Sequence, residues 1–164
     1  MADSSMSDKL TKLCATFFYV GYIPVAPGSM ASIAGALLSL IFSSNIFCYV
    51  AVFGLITIIG FLVSTRMEEI ARKKDPSCVV IDEVAGSFIA FFMLPLSFSV
   101  WVTAFFLFRA FDMFKIYPTN KLEELPGAKG IMLDDLVAGV YTNIVMQITI
   151  HFSSITLLTL PTGG

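Results

Sequence analysis

The chain has 164 residues, 57% of them hydrophobic and only 13% charged, with a mean hydropathy of +0.86; soluble domains carry a smaller apolar share and about twice the charge, so this composition belongs in lipid. A net charge of -2 leaves no basic footprint and excludes electrostatically driven binding of nucleic acid. Cys14, Cys48 and Cys78 form no CxxC pair and have no histidine at ligand spacing, which argues against a zinc or redox centre and for small apolar packing residues.

The length fits a single membrane-embedded domain over residues 1–164, with residues 1–20 as an N-terminal helix and 21–160 as a helical core. The N-terminus mixes acids with lysines and lacks a signal-peptide cleavage pattern, so it is expected to stay on the mature protein. Leu10, Leu13, Cys14, Phe17 and Phe18 recur at helical spacing, with Lys9 and Lys12 elsewhere around the wheel. This predicts a short helix that either lies on the membrane surface or packs on the rest of the protein. In the loop from Gly21 to Ser29, Pro24 and Pro27 cannot continue a helix. Ser29 is expected to cap the helix that runs from Met30 to Phe42, and the hydroxyls of Ser29 or Ser32, with the free amides of a helix start, make an anion cradle.

Ser43-Ser44-Asn45 forms a polar turn, and Ile46 to Val63 is apolar, close to the roughly 20 residues that a crossing needs. Arg66, Glu68, Glu69, Arg72, Lys73, Lys74 and Asp75 then extend that helix into water and end it before Pro76; most of them are assigned no chemistry. The third apolar run, Val79 to Leu94, is interrupted only by Asp82-Glu83 in its first turns. Pro95-Leu96-Ser97 turns the chain into a fourth run that ends at Phe111 and is closed by Arg109, Asp112 and Lys115, spaced so that they share one broad helix face. A loop containing Tyr117-Pro118, Glu123-Glu124 and Pro126-Gly127 leads to Asp134-Asp135 and a final apolar run ending near Leu160. There is no fixed-period repeat or low-complexity tract.

The expected fold is therefore all-α: a multi-pass membrane helical bundle of about four to five apolar helices plus an N-terminal interfacial helix. The turns at Ser43–Asn45 and Pro95–Ser97 carry no charge, so every Lys, Arg, Asp and Glu falls on the other side, which the positive-inside rule places in the cytoplasm. Asp82, Glu83, Asp112, Asp134 and Asp135 then share one level just inside the cytoplasmic face. Complementing helix dipoles accounts for acids at helix starts and bases at helix ends. It does not account for the doubled acids, nor for Arg109 and Asp112 within an apolar run, whereas a shared site accounts for both. Helix neighbours project about 100° apart, so both members of a doublet need not be ligands.

Carboxylates that meet at one place repel one another unless a cation neutralises them. With oxygen ligands only, Asp82, Glu83, Asp112, Asp134 and Asp135 favour Mg2+ over zinc, and magnesium usually binds carboxylates together with water and substrate phosphate. Arg109 and Lys115 supply the complementary hold on phosphate oxygens. At the level of lipid headgroups, this points to hydrolysis of a phosphate on a phospholipid, with a carboxylate activating water. Position along the chain assigns none of the carboxylates as the base. His151, deep in the last run, falls outside the site.

Four ordered motifs carry a resemblance: Gly21-xx-Pro24-x-Ala26-Pro27-Gly28-Ser29-xx-Ser32; Asp75-Pro76-xx-Val79-Val80-Ile81-Asp82-Glu83-Val84-x-Gly86; Phe108-Arg109-x-Phe111-Asp112-xx-Lys115-xx-Pro118; and Gly130-Ile131-Met132-Leu133-Asp134-Asp135-Leu136-x-Ala138-Gly139. They span most of the chain, which resembles the phosphatidylglycerophosphatase A family of magnesium-dependent bacterial lipid phosphatases. Ser29, Ala31, Ile116 and Ala128 depart from residues usual in that family, but none of these departures removes a charged group. The resemblance implies dephosphorylation of phosphatidylglycerophosphate to phosphatidylglycerol at the cytoplasmic face of the inner membrane. Two readings of other classes are an intramembrane cation carrier and a non-catalytic membrane subunit. The carrier reading is opposed by the lack of an acid at mid-membrane depth and of any charge in the outer half.

Overall fold

The computed structural model describes the backbone of residues 2–159 and the side chains of residues 6–153. Among the described residues the chain is all-helical, without a strand. Helix α1 (Ala2–Ala15) packs on the end of the long helix α3 (Ile46–Ala71), with the Asp8 carboxylate 3.0 Å from Arg66. Phe17, Phe18 and Tyr19 then turn the chain with φ of 44°, 54° and 69°.

Helix α2 spans Pro27–Phe42, and this corrects the expectation that Ser29 caps it. Pro27 occupies the first turn, where its missing N–H costs nothing, and the N-cap position falls to Ala26, without a side-chain cap. Ser29 lies inside the first turn instead. The turn into α3 follows the sequence expectation: Asn45 Oδ1 accepts hydrogen bonds from the Phe47 and Cys48 amides at 3.0 and 3.2 Å. Helices α5 (Phe98–Phe114), α6 (Thr119–Leu122) and α7 (Ala128–Thr159) complete the bundle with the short α4 (Ile81–Ala90). The expected end of the last run near Leu160 lies outside the described residues.

Helix α4 is the core of the molecule, with Val84, Ala85, Ser87, Phe88 and Ala90 fully buried between α2 and α7. The expected run Val79 to Leu94 is helical over only 10 residues, a length of about 15 Å against a hydrocarbon thickness of about 30 Å. Ending a helix inside a bundle strands its last carbonyls unless donors reach them. Here three side chains do. Tyr49 Oη donates to the Phe88 carbonyl at 2.5 Å, Asn143 Nδ2 to those of Ala90 and Phe92 at 3.3 and 2.7 Å, and Gln147 Nε2 to those of Phe92 and Met93 at 3.3 Å each.

Helices α4 and α7 approach until backbone meets backbone. A Cβ on Gly139 would overlap the Gly86 carbonyl oxygen, and one on Gly86 would sit 2.7 Å from the Asp135 carbonyl oxygen. Small residues at such crossings are how helices in lipid gain close van der Waals contact.

Two helices, α3 and α7, are long and apolar enough to cross a membrane; α2 and α5, with 16 and 17 residues, are shorter. Large apolar side chains nevertheless face outward on each of them, among them Leu37, Leu62, Phe98, Phe106 and Ile148, an exposure that soluble proteins avoid. The charged segments gather at one end, where Lys74 Nζ donates to the Glu124 carbonyl at 3.3 Å and the Ala128 amide to Thr65 Oγ1 at 2.9 Å. At the other end, Ser43, Ser44, Pro95 and Leu96 share the wall of an uncharged cavity of about 460 Å³.

Candidate active site

Four segments converge at the charged end. The first turn of α4 carries Asp82 and Glu83, the last two turns of α5 carry Arg109 and Asp112, with Lys115 as its C-cap, and the second turn of α7 carries Asp134 and Asp135. The start of α2 brings Gly28 and Ser32. Asp82 and Asp135 lie one helical turn before Gly86 and Gly139, so the crossing of these glycines sets the separation of the two carboxylates. All five predicted acids, Asp82, Glu83, Asp112, Asp134 and Asp135, line one cavity of about 190 Å³ together with Lys115.

The acids fall into two groups. Asp112 and Asp134 are matched by cations: Arg109 Nη1 lies 2.5 Å from Asp112 Oδ2, and Lys115 Nζ hydrogen-bonds Asp134 Oδ2. Lys115 also lies 3.9 Å from both Asp112 and Glu123. Burial works against the Lys115 ammonium, but its hydrogen bond to Asp134 and the charges of Asp134, Asp135 and Asp112 outweigh that and hold its pKa above the ordinary lysine value.

Among the described residues, no cation pairs with Asp82 or Asp135, and Glu83 has only Arg109 at 3.9 Å. Each offers an oxygen within 4.8 Å of the others, and Asp82 Oδ1 and Glu83 Oε2 are buried without a hydrogen-bond partner. Buried carboxylate oxygens left unpaired are costly. A hard divalent cation takes an oxygen-only donor set of this kind, so the residues present fit Mg2+.

Arg109 is the link to α2. Its Nη1 lies 3.4 Å from Ser32 Oγ, which itself donates to the Gly28 carbonyl at 2.9 Å, and its Nε is buried and unpartnered. A Cβ on Gly28 would overlap Glu83 Oε1 and lie 3.4 Å from Arg109 Nη2, so only glycine leaves room for this pair. The structure thus brings Ser32 to Arg109, and of the phosphate-binding candidates only Lys115 lines the cavity itself; Ser29, half-buried, Ser32 and Arg109 lie outside its wall. His151 is exposed on α7, apart from the site, as expected.

Sequence reasoning passed over Asp75 and Ser77, which line the same cavity. Asp75 was read as the end of a solvated charge run; the Asp-Pro that stops that run next to an apolar segment was the available signal. Gly86 and Gly139 also went unassigned, although each follows an acid by one helical turn.

The family description phosphatidylglycerophosphatase A matches residues 13–150. The chain is 34% identical over 153 residues to a Bacteroides thetaiotaomicron protein provisionally named a phosphatidylinositol-3-phosphatase, covering 85% of this chain and 92% of that one. It is 35% identical over 140 residues to phosphatidylglycerophosphatase A of Haemophilus influenzae, covering 82% and 85% of the two chains. Against phosphatidylglycerophosphatase A of Escherichia coli the identity is 31% over 134 residues, covering 78% and 76%. No solved structure matches the chain. With its four motifs placed around one acidic cavity, the chain belongs to the phosphatidylglycerophosphatase A family.

Proposed function

We propose that this protein is a Mg2+-dependent phosphoric monoester hydrolase that converts phosphatidylglycerophosphate to phosphatidylglycerol and phosphate. The observation that carries the proposal is the convergence of Asp82, Glu83 and Asp135, with ligand oxygens within 4.8 Å of one another and Asp82 Oδ1 and Glu83 Oε2 without a hydrogen-bond partner, beside Arg109 and Lys115 in a chain of this family. Asp82, Glu83 and Asp135 would hold the ion. When bound, it supplies Lewis-acid stabilisation of the charge on the phosphate oxygens. Arg109 and Lys115 bind and orient the terminal phosphate, and Asp112 and Asp134 hold those two cations in place. Water attacks the phosphorus in line as the P–O bond to the glycerol breaks; one of the buried carboxylates accepts the proton from that water, and the leaving glycerol oxygen takes up a proton to become the hydroxyl of phosphatidylglycerol.

The same reading gives a multi-pass protein of the bacterial inner membrane with its site on the cytoplasmic side. It is supported by the outward apolar faces of α2, α3, α5 and α7 and by the clustering of lysines and arginines at the site end.

The test is phosphate release from phosphatidylglycerophosphate in detergent micelles, before and after chelation. Release that stops with EDTA and returns with Mg2+ is the expected result. Release that survives chelation refutes the metal role, and absence of release from this lipid refutes the activity. A higher kcat/KM on phosphatidylinositol 3-phosphate would reassign the headgroup.

A further inference from the structure

Outside the acidic cavity, the molecule holds an apolar slot of about 270 Å³ between α2 and α5, with Ile33, Leu37, Phe98, Val102, Phe105 and Phe106 in its wall. No charged or hydroxyl side chain lines it. Its rim opens sideways, since Leu37, Phe98 and Phe106 are exposed. On α5, Phe98, Val102 and Phe106 recur every four residues and so share one face, and Arg109 comes next along the same stripe. On α2, Ile33 directly follows Ser32, whose hydroxyl lies 3.4 Å from Arg109. The stripe that walls the apolar slot therefore continues along α5 to Arg109, which pairs with Asp112 of the charged cavity's wall.

We infer that this slot seats an acyl chain of the phospholipid whose phosphate reaches Arg109. The inference rests on the phosphatase reading above and deepens it by naming where the lipid tail binds. From Phe98 to Phe106 the slot runs about 12 Å along the helix axis, enough for a substantial part of one chain. Continuity with Arg109 selects this occupant: a diacyl phosphate carries an anion joined to an apolar chain, and along α5 the apolar wall of the slot is followed by a cation. The larger uncharged cavity lies at the Ser43 and Pro95 turns, by the start of α5 and so at the opposite end of that helix from Arg109. The outer face of α3 presents Leu55, Ile58 and Leu62 to the surroundings and reaches no part of the acidic cavity wall. A second copy of this chain could cover the α2/α5 face, but it would leave the alignment with Arg109 without a purpose.

The test compares the diacyl lipid with its deacylated counterpart, glycerophosphoglycerophosphate, in wild type and Val102→Trp. Val102 is 38% exposed at the rim, so the indole fills the slot from the outside. The ratio of kcat/KM for the diacyl substrate over the chainless one is expected to fall by about tenfold or more, chiefly through KM. An unchanged ratio in an active variant overturns the slot and leaves the phosphatase reading standing. A wild type that releases phosphate from neither compound overturns the phosphatase reading itself.

A second measurement uses wild type only and is independent of how the variant folds. Phosphatidylglycerophosphate bearing a diazirine on one acyl chain is photolysed with the protein in Mg2+-free micelles. Crosslinks on Leu37, Val102 or Phe106 support the slot; crosslinks confined to α3, or a labelled residue only at the Ser43 and Pro95 end, overturn it.

Discussion

Replacing Asn143 and Gln147 by leucine, singly and together, tests whether the central half-helix is held by shared donors at its buried end. Asn143→Leu conserves volume and removes a donor that reaches the Ala90 carbonyl at 3.3 Å and the Phe92 carbonyl at 2.7 Å. Gln147 still reaches Phe92 at 3.3 Å in that variant, and Asn143 still reaches it in Gln147→Leu. Interhelical side-chain hydrogen bonds in lipid average only about 0.6 kcal/mol, whereas a stranded buried acceptor costs about 1–3 kcal/mol. Gln147→Leu therefore loses about 1 kcal/mol, because one donor remains on Phe92, and Asn143→Leu, which also strips the Ala90 carbonyl of its donor, loses about 1–3 kcal/mol. The double variant leaves that carbonyl with neither amide, and its loss exceeds the sum of the singles by a coupling energy within the range of about 0.5–3 kcal/mol seen for residues in one network. Equilibrium unfolding of the four proteins in mixed micelles measures this directly. Additivity to within about 0.5 kcal/mol would refute the shared acceptor. Phosphate release should fall in the same order, because Asp82 and Glu83 ride on the other end of this helix.

Among the carboxylates, Asp135→Asn is expected to cost more activity than Asp112→Asn, whose role of holding Arg109 places its loss at about 10–100-fold; the reverse ranking in steady-state kinetics across Mg2+ concentrations would refute the division proposed between them. Gly139→Ala puts a methyl group on the Gly86 carbonyl, and backbone cannot yield as a side chain can. The expected cost is about 1–3 kcal/mol of stability together with a higher Mg2+ requirement, and unchanged values of both would remove the crossing as the element that spaces Asp82 from Asp135. The Lys115 pair with Asp134 has a sign that pH can check. The folded pKa of Lys115 is raised, so the pair's contribution is fully present below the ordinary lysine value of 10.5 and is lost only as pH rises through the higher folded value. A loss of stability in the alkaline range below 10.5 that Lys115→Met abolishes would contradict this.

Much of the architecture was legible because local chemistry and tertiary packing agree. Asn45 caps α3 with its own side chain, and the apolar runs end where charges or prolines stand. The convergence of the acids was legible for a different reason, since charged groups at the ends of apolar runs have one level in common. The early end of α4 was not legible. Ala90 to Leu94 continues apolar without glycine, and the donors that let the helix stop come from Asn143, 53 residues beyond Ala90. Nor could the sequence separate paired from unpaired carboxylates, because that depends on which acid each cation reaches across the bundle. The Ser29 cap failed locally: Pro27 is the better helix starter, and the cap position falls to Ala26 instead.

A charge comparison explains why the site needs more than its own protein cations. Arg109 and Lys115 are already matched to Asp112 and Asp134. Asp82 and Glu83 stand in the first turn of α4, where the helix dipole offers the equivalent of about half a positive charge. Tyr49, Asn143 and Gln147 quench the opposite, negative end of the same helix in the bundle interior, so the short helix presents its positive end to the cavity. Half a charge cannot balance Asp82, Glu83 and Asp135 together. An added divalent cation brings that group close to neutrality while leaving Arg109 and Lys115 free to share their charge with an incoming phosphate. The half-helix and these acids thus belong to one arrangement: the break that shortens α4 also aims its dipole, and the negative charge that the dipole leaves unbalanced is of the size that a divalent cation would supply.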